Sequence, residues 1–282
     1  MILVLFFAGQ ACQLTSAVIS SNGNNGGGDE PAAMGEESPT GVISLPISVT
    51  APDGVRVVEQ AALWAPKKDA PELHTVSAAI VLESATAVLG FNMDYQIWHT
   101  KDKDKASEYK TNQRLWMTIS PLQAGARMIL MGDFPEWMKP TRIEIQLLPG
   151  DFYQERQKDL DLLNNLAFPK PYFSATSTGV LAKQQPAGNG LNIEANAKVT
   201  SSLPVEAGVS GLFIFYDSAG QVVGITTTLC SDSKSYGCGG TLNVMIPPNG
   251  TGDLTAQLPF PLDAQPAKVV LYPMIDTNFA QY

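Results

Sequence analysis

One pattern occurs in both halves of this chain, and this repeat limits the possible fold more than any other feature. Tyr95-Gln96-Ile97-Trp98-His99 in the first half corresponds to Phe213-Ile214-Phe215-Tyr216-Asp217 in the second, at an offset of 215 − 97 = 118 residues. Val81–Ser84 and Val199–Ser202 share that offset. A repeat unit of this length predicts two tandem domains, because the units of solenoid proteins are much shorter.

The offset between the two halves becomes larger further along the chain. Pro140–Ile145 corresponds to Pro266–Leu271, at 266 − 140 = 126 residues. The second copy therefore carries 126 − 118 = 8 additional residues before this point. Cys230 and Cys238 lie within that insertion.

The composition favours strands and argues against several classes of function. The 282 residues are 44% hydrophobic and 16% charged, and they include 24 glycines and 20 prolines, which suits strands joined by tight turns. A formal net charge of −9 disfavours a nucleic-acid partner. The sequence contains no nucleophile–base pair, phosphate loop or cofactor fingerprint, so we expect neither an enzyme nor a bound cofactor or metal.

The first residues resemble an export signal. Met1–Ala8 is apolar but too short to span a bilayer, and it fits the hydrophobic region of a secretory signal. Small residues before Cys12 are similar to a bacterial lipoprotein signal, in which the cysteine is lipidated after cleavage. Cleavage after Ala11 by ordinary signal peptidase also fits, and so does retention of the segment as an added strand. We therefore expect an extracytoplasmic protein at the cell surface or the periplasmic face of the membrane, with a lipid anchor as one alternative.

Composition changes divide the chain into five segments. The part after the signal is rich in Gly, Asn, Ser and Glu and is expected to be a flexible tether. The predicted organisation is a signal-like segment (1–11), the tether (12–42), a first β-sandwich (43–150), a helical connector (151–172) and a second β-sandwich (173–282).

The second half shows the clearest strand pattern. Leu191–Ser202 alternates polar and apolar residues, as a half-buried strand does, and Gly211–Tyr216 is a denser apolar strand. Asp217–Gly220 predicts a turn, in which the aspartate bonds nearby backbone and the glycine takes a positive φ. Further strands are predicted at Gln221–Leu229, Thr241–Ile246, Leu254–Phe260 and Lys268–Tyr272.

This half resembles the FxLYD-type domain, a small immunoglobulin-like β-sandwich of exported bacterial and archaeal proteins. The motif residues are Phe213, Phe215, Tyr216 and Asp217, with phenylalanine in place of the family's leucine. The resemblance covers about 90 residues from Leu191 onward. The first half loses the Tyr-Asp pair and joins the family only through the internal repeat. The resemblance implies a binding or structural module without general catalytic residues.

The connector and the cysteines complete the predicted architecture. Asp151–Phe168 has a partial apolar stripe and ends at Pro169, so we predict a helix packed between the sandwiches, with partner binding as the alternative. Cys230 and Cys238 close a short loop and predict a disulfide in an exported protein. Cys12 then stays available for lipidation or for an intermolecular role.

Aromatic residues are concentrated in the first half. Trp98, Trp116 and Trp137 form a candidate interaction surface for other protein subunits, with a glycan as the alternative ligand. Strand alternation predicts that Tyr95 and Ile97 face one way and Trp98 the other. His99 is expected to be a polar residue at the end of its strand.

These observations predict an all-β protein of two tandem immunoglobulin-like sandwiches. We expect a non-catalytic binding or scaffolding protein, either a surface lipoprotein or a subunit of a membrane-associated assembly. The alternative is a carbohydrate-binding module of a cell-surface system, which would require a coplanar row of exposed aromatic rings.

Overall fold

All regular structure in the described part of the chain is β-strand. The computed structural model describes residues 41–67, 70–85, 91–102, 105–117, 125, 127–136, 139–149, 172–184, 190–227 and 244–275. The predicted connector helix, the disulfide and the N-terminal segment lie outside these ranges. The all-β prediction is thus confirmed for the described residues.

The first half forms two sheets of four strands each. Its strands are β1 (Ile43–Ser44), β2 (Ile47–Thr50), β3 (Val55–Lys67), β4 (Ala70–Ser84), β5 (Phe91–Asp102), β6 (Lys105–Met117), β7 (Arg127–Glu136) and β8 (Pro140–Pro149). Sheet I has the order β1-β3-β4-β7, and sheet II has the order β2-β8-β5-β6. The chain passes from the edge of one sheet to the edge of the other between β1 and β2, and β2 runs parallel to β8.

The second half forms two further sheets. Its strands are β9 (Phe173–Gln184), β10 (Leu191–Ser201), β11 (Ala207–Tyr216), β12 (Val222–Thr227), β13 (Val244–Ile246), β14 (Thr251–Gln257) and β15 (Lys268–Ile275). Sheet III has the order β14-β10-β9. In sheet IV, β13 pairs with the first residues of β11 (Ala207–Val209), and β12 pairs with its last residues (Leu212–Tyr216). β15 pairs with β11 along nearly its whole length.

The two halves share one pattern of strand pairing. In sheets I and III, β4 and β10 are each the middle of an antiparallel trio, β3-β4-β7 and β9-β10-β14. In sheet II, β5 lies between β6 and β8. In sheet IV, β11 likewise lies between β12 and β15. The same connectivity in both halves supports the internal repeat found in the sequence.

Hydrogen bonds identify which face of sheet I is turned toward sheet II. The Gln60 side-chain amide donates to the carbonyl oxygen of Ile47 in sheet II, at 3.0 Å. Glu59 is adjacent in sequence and therefore lies on the opposite face, where it accepts a hydrogen bond from Tyr272 of the second half. Ala61 and Leu63 share that face with Glu59 and are completely buried. Sheet I is thus covered on both faces.

Sheet IV is also covered on both faces. A methyl group added at Gly211 would touch Leu254 of sheet III, so this face of β11 is turned toward sheet III. Leu212 and Ile214 point the other way and are nevertheless fully buried. β12 lies against β1, β3 and β4, and β15 lies against β7. The sheets therefore stack in the order II, I, IV, III around one continuous hydrophobic core.

This stacking is head-to-tail. Sheet I of the first half meets sheet IV, which is the counterpart of sheet II. The two sheets in contact are therefore not counterparts of each other, as is also the case between successive units of a repeat protein.

The strands predicted for the second half are confirmed, with different bounds for several of them. β14 covers 251–257 instead of 254–260, and β9 was not predicted at all. The offset of 118 residues aligns Val81 with Val199, but Val81 lies on the Glu59 face of sheet I, away from sheet II, whereas Val199 is turned into its own sandwich against Gly252. The counterpart strands β4 and β10 are therefore shifted by one residue relative to the sequence alignment, because side chains alternate along a strand.

Candidate functional site

The two halves carry the same aromatic–cation pair at equivalent positions. Arg142 of β8 is the register partner of Trp98 in β5, and its guanidinium carbon lies 4.1 Å from the indole ring centroid. Lys268 of β15 is likewise the partner of Tyr216 in β11, with its ammonium nitrogen 5.2 Å from the ring centroid. The offsets are 216 − 98 = 118 and 268 − 142 = 126, the same two as in the sequence repeat. Each pair is a cation–π contact on the outward side of its sheet.

In the first half this pair lies on a largely polar surface that no other described sheet covers. Trp98 is half-buried, and Arg142 is also paired with Glu144, whose Oε1 is 3.1 Å from Nε. The outward neighbours are half-buried or exposed polar residues, namely Ser48, Thr50, Asn92, Asp94, Gln96 and Gln146. We call this surface the sheet II face.

In the second half the equivalent surface is closed by the first half. The Tyr272 hydroxyl donates to Glu59 Oε2 at 3.0 Å, which joins β15 to β3. Burial, the hydrogen bond to Glu59 and the charge of Glu59 raise the pKa of Tyr272 to about 12, and Arg127 acts in the opposite direction. Burial and the charge of Glu59 also raise the pKa of Tyr216 well above its ordinary value. Both tyrosines thus stay protonated at neutral pH and are able to donate.

A row of three charged residues lies near this junction. Arg56, Glu83 and Arg127 are direct register partners on β3, β4 and β7, and Arg127 Nε is 2.8 Å from Glu83 Oε1. Arg56 also contacts Glu83. Burial alone would raise the pKa of Glu83, but the two arginines outweigh it and hold that pKa below its ordinary value. The row is partly exposed, so each pair contributes little to stability.

The four residues of the predicted FxLYD motif lie in the core, in a turn and at the junction between the halves. Phe213 and Phe215 are fully buried between sheets III and IV. Asp217 begins the turn after β11, and its Oδ1 accepts hydrogen bonds from the backbone amides of Ala219 (2.9 Å) and Gln221 (2.8 Å). Gly220 has φ of 79°, as predicted for this turn. Tyr216 alone among the four lies at the junction between the halves.

Only part of the predicted aromatic surface falls in the described residues. Tyr95 and Ile97 are buried and Trp98 is turned outward, which confirms the predicted alternation. Trp116 lies in β6 and pairs with Asn92, but its side chain is outside the described part, as is Trp137. His99 is 1% exposed inside β5, which continues to Asp102, so its predicted place at the strand end is wrong.

Cys12, Cys230 and Cys238 fall outside the described residues, so lipidation and the disulfide stay predictions. In the ranges that the structure covers, no three His, Cys, Asp or Glu side chains converge to hold a metal ion. A search of the same ranges for a helix long and apolar enough to cross a bilayer found none.

Sequence reasoning missed the junction of Glu59 and Tyr272. One signal was present, because Glu59 is the only acidic residue of β3 and is followed by the buried stretch Ala61–Ala65. A lone acid in such a strand needs a polar partner when it is covered. The partner is 213 residues away in the sequence, and no local pattern indicates it.

The chain matches no model of a protein family, and a search of curated proteins found nothing similar. The FxLYD resemblance therefore rests on the motif residues and the repeat.

Proposed function

We propose that this chain is a non-catalytic binding or scaffolding protein of two tandem immunoglobulin-like, FxLYD-type sandwiches, held outside the cytoplasmic membrane. It carries a lipid anchor at Cys12 or belongs to a membrane-associated assembly. Its partner is another protein subunit, which binds the sheet II face.

One observation carries this proposal: the sheet II face is the repeat counterpart of a surface that already docks against a β-sheet within the chain. Both surfaces present an aromatic ring under a cation, at Trp98–Arg142 and at Tyr216–Lys268. The second of them packs on sheet I. A face of this geometry is therefore suited to receive a protein surface, and the polar character of the sheet II face suits a partner that dissociates.

The position of Arg142 favours a protein over a glycan. Sugar rings bind proteins by stacking on an open aromatic face, and the guanidinium of Arg142 covers one face of Trp98. Trp116 is the register partner of Asn92, an outward position of the same sheet, and its side chain lies outside the described part.

Site-specific photocrosslinking in cells of the native source tests the binding face. A benzophenone amino acid replaces Gln96 on the sheet II face, and the matched control replaces Asn196 on the outer face of sheet III. We expect a discrete protein adduct from position 96, weaker in an Arg142→Ala background, and no such adduct from position 196. Equal adducts from both positions, or none from position 96, would contradict the proposal.

The cellular location has its own test. The intact mass of protein purified from the native source is measured with and without reductant. We expect a chain that begins at an acylated Cys12 and gains two protons on reduction. A mass that includes Met1–Ala11 would overturn the lipoprotein assignment and leave the assembly subunit as the remaining form of the proposal.

A further inference from the structure

The junction between the two halves has an apolar centre and a polar rim. Ala61 and Leu63 of sheet I and Leu212 and Ile214 of sheet IV are fully buried on the faces turned toward each other. Glu59 is only half-buried at the rim, with Tyr272 and Tyr216 across from it. Hydrophobic contact is non-directional, so the apolar centre holds the sheets together without fixing how they are rotated or displaced.

The polar rim supplies the missing direction. A carboxylate taken partly out of water is stable only when donors replace the water molecules it loses. The Tyr272 hydroxyl is such a donor at 3.0 Å, and it is attached to a rigid ring on the central part of β15. The strength of a hydrogen bond depends on its angle and weakens steeply when donor and acceptor are misaligned. A slide of sheet IV over sheet I would break this bond and leave the carboxylate without its donor.

We propose that Glu59 is a carboxylate lock, which uses the tyrosine hydroxyls of the second half to fix the orientation of the two halves as one rigid body. The outer faces of sheets II and III are then held at a constant separation and direction. The lock is independent of which molecule the chain binds, so it stands or falls separately from the proposed function.

The charged groups around the lock favour it at neutral pH. The elements that surround it contribute Arg56 and Glu59 (β3), Glu83 (β4), Arg127 (β7), Tyr216 (β11), and Lys268 and Tyr272 (β15). β12 contributes no titratable residue. Loss of a proton from either tyrosine removes the donor and places a second negative charge beside Glu59.

The direction of the pH effect follows from Tyr272. Its pKa is about 12 in the folded protein against 10.0 for an ordinary tyrosine. The folded state therefore holds the proton more tightly, so its contribution is complete below pH 10 and is lost as the pH rises toward 12. The lock is expected to open only in strongly alkaline solution.

Electron–electron distance measurements on the full chain test the lock. Nitroxide labels are attached to p-acetylphenylalanine at Ser48 and Asn196, two exposed positions on sheets II and III, which leaves the native cysteines untouched. We expect one narrow distance distribution, at least about twofold broader in the Tyr216→Phe/Tyr272→Phe variant and intermediate in Glu59→Gln. The matched control is Gln146→Ala, at the repeat counterpart of Tyr272, which should leave the width unchanged.

Two outcomes would overturn the lock. One is an unchanged width in the double phenylalanine variant, which would mean that apolar contact alone sets the orientation. The other comes from the unmodified protein, whose distribution should broaden as the pH rises from about 10 toward 12, since Tyr272 loses its proton in that range. No broadening, or equal broadening in Tyr272→Phe, would refute the lock even if another variant failed to fold.

Discussion

β5 of sheet II and β11 of sheet IV occupy equivalent positions in the two halves but have different surroundings. Their inward positions are buried in both, and they are Phe91, Met93, Tyr95 and Ile97 in β5 and Val209, Gly211, Phe213 and Phe215 in β11. Their outward positions differ, with Asn92, Asp94, Gln96 and Trp98 in β5 and Ser210, Leu212, Ile214 and Tyr216 in β11. The inward residues are thus buried alike in the two strands, whereas the outward residues differ in polarity according to what packs against each sheet. Sheet IV touches sheet I, whereas no other described sheet packs on the outward side of sheet II.

The largest effect on the free energy of unfolding is expected at Ile214, and it is compared with the corresponding outward position, Gln96. Ile214→Ala removes a fully buried side chain between sheets IV and I and should lower the free energy of unfolding by about 2–5 kcal/mol. Gln96→Ala, at the counterpart position on the sheet II face, should change it by no more than about 0.5 kcal/mol. Urea unfolding followed by tryptophan fluorescence measures both. Equal losses would mean that the two faces are covered alike, and the comparison would fail.

A smaller effect is expected at an inward position where the two strands differ. Gly211 occupies the place of Met93, and a methyl carbon there would lie 2.5 Å from Cδ1 of Leu271 and 3.0 Å from Cδ1 of Leu254. Gly211→Ala should therefore cost about 1–3 kcal/mol through overpacking. Leu271→Ala in the same chain should recover part of that loss, so the double variant would be more stable than the sum of the single losses predicts. Additive losses would show that the two side chains do not compete for this space.

The smallest effect on stability is expected in the turn that follows β11. Asp217→Ala removes the acceptor of two backbone amides and should cost about 1 kcal/mol, as the loss of a helix cap does, whereas Asp217→Asn keeps an oxygen there and should cost less. Ser218→Ala, at the exposed neighbouring residue, is the control and should be neutral. Thermal unfolding resolves the three. A neutral Asp217→Ala would mean that this turn forms without its aspartate.

Local patterns allowed much of the second half to be predicted. The alternation of β10 and the Asp217–Gly220 turn are visible in the sequence because each depends on neighbouring residues. β9 escaped prediction because its outward and inward residues are both largely small or polar, with Ser174, Ala175, Thr176 and Thr178 all exposed. An edge strand of this composition has no periodic signal.

The junction could not be predicted for a different reason. Leu212 and Ile214 give β11 a continuous apolar run, and the structure shows that this strand is buried on both faces. The sequence did not say which sheet would cover it, because the contact joins residues more than 200 positions apart. The lone acid at Glu59 was the available signal, and its meaning appears only when Tyr272 is placed beside it.

The parallel pairing of β2 with β8 has a mechanical consequence. After the short strand β1, the chain enters sheet II through β2, and it leaves that sheet at the end of β8. The two strands point the same way, with Ile47 beside Ile143 and Thr50 beside Gln146. A pull between the N-terminal segment and the second half therefore acts along these strands in opposite senses. Under such shear the hydrogen bonds of the ladder carry the load together instead of opening one after another. The β2–β8 ladder thus resists a pull applied between the residues before Ile47 and those after Pro149.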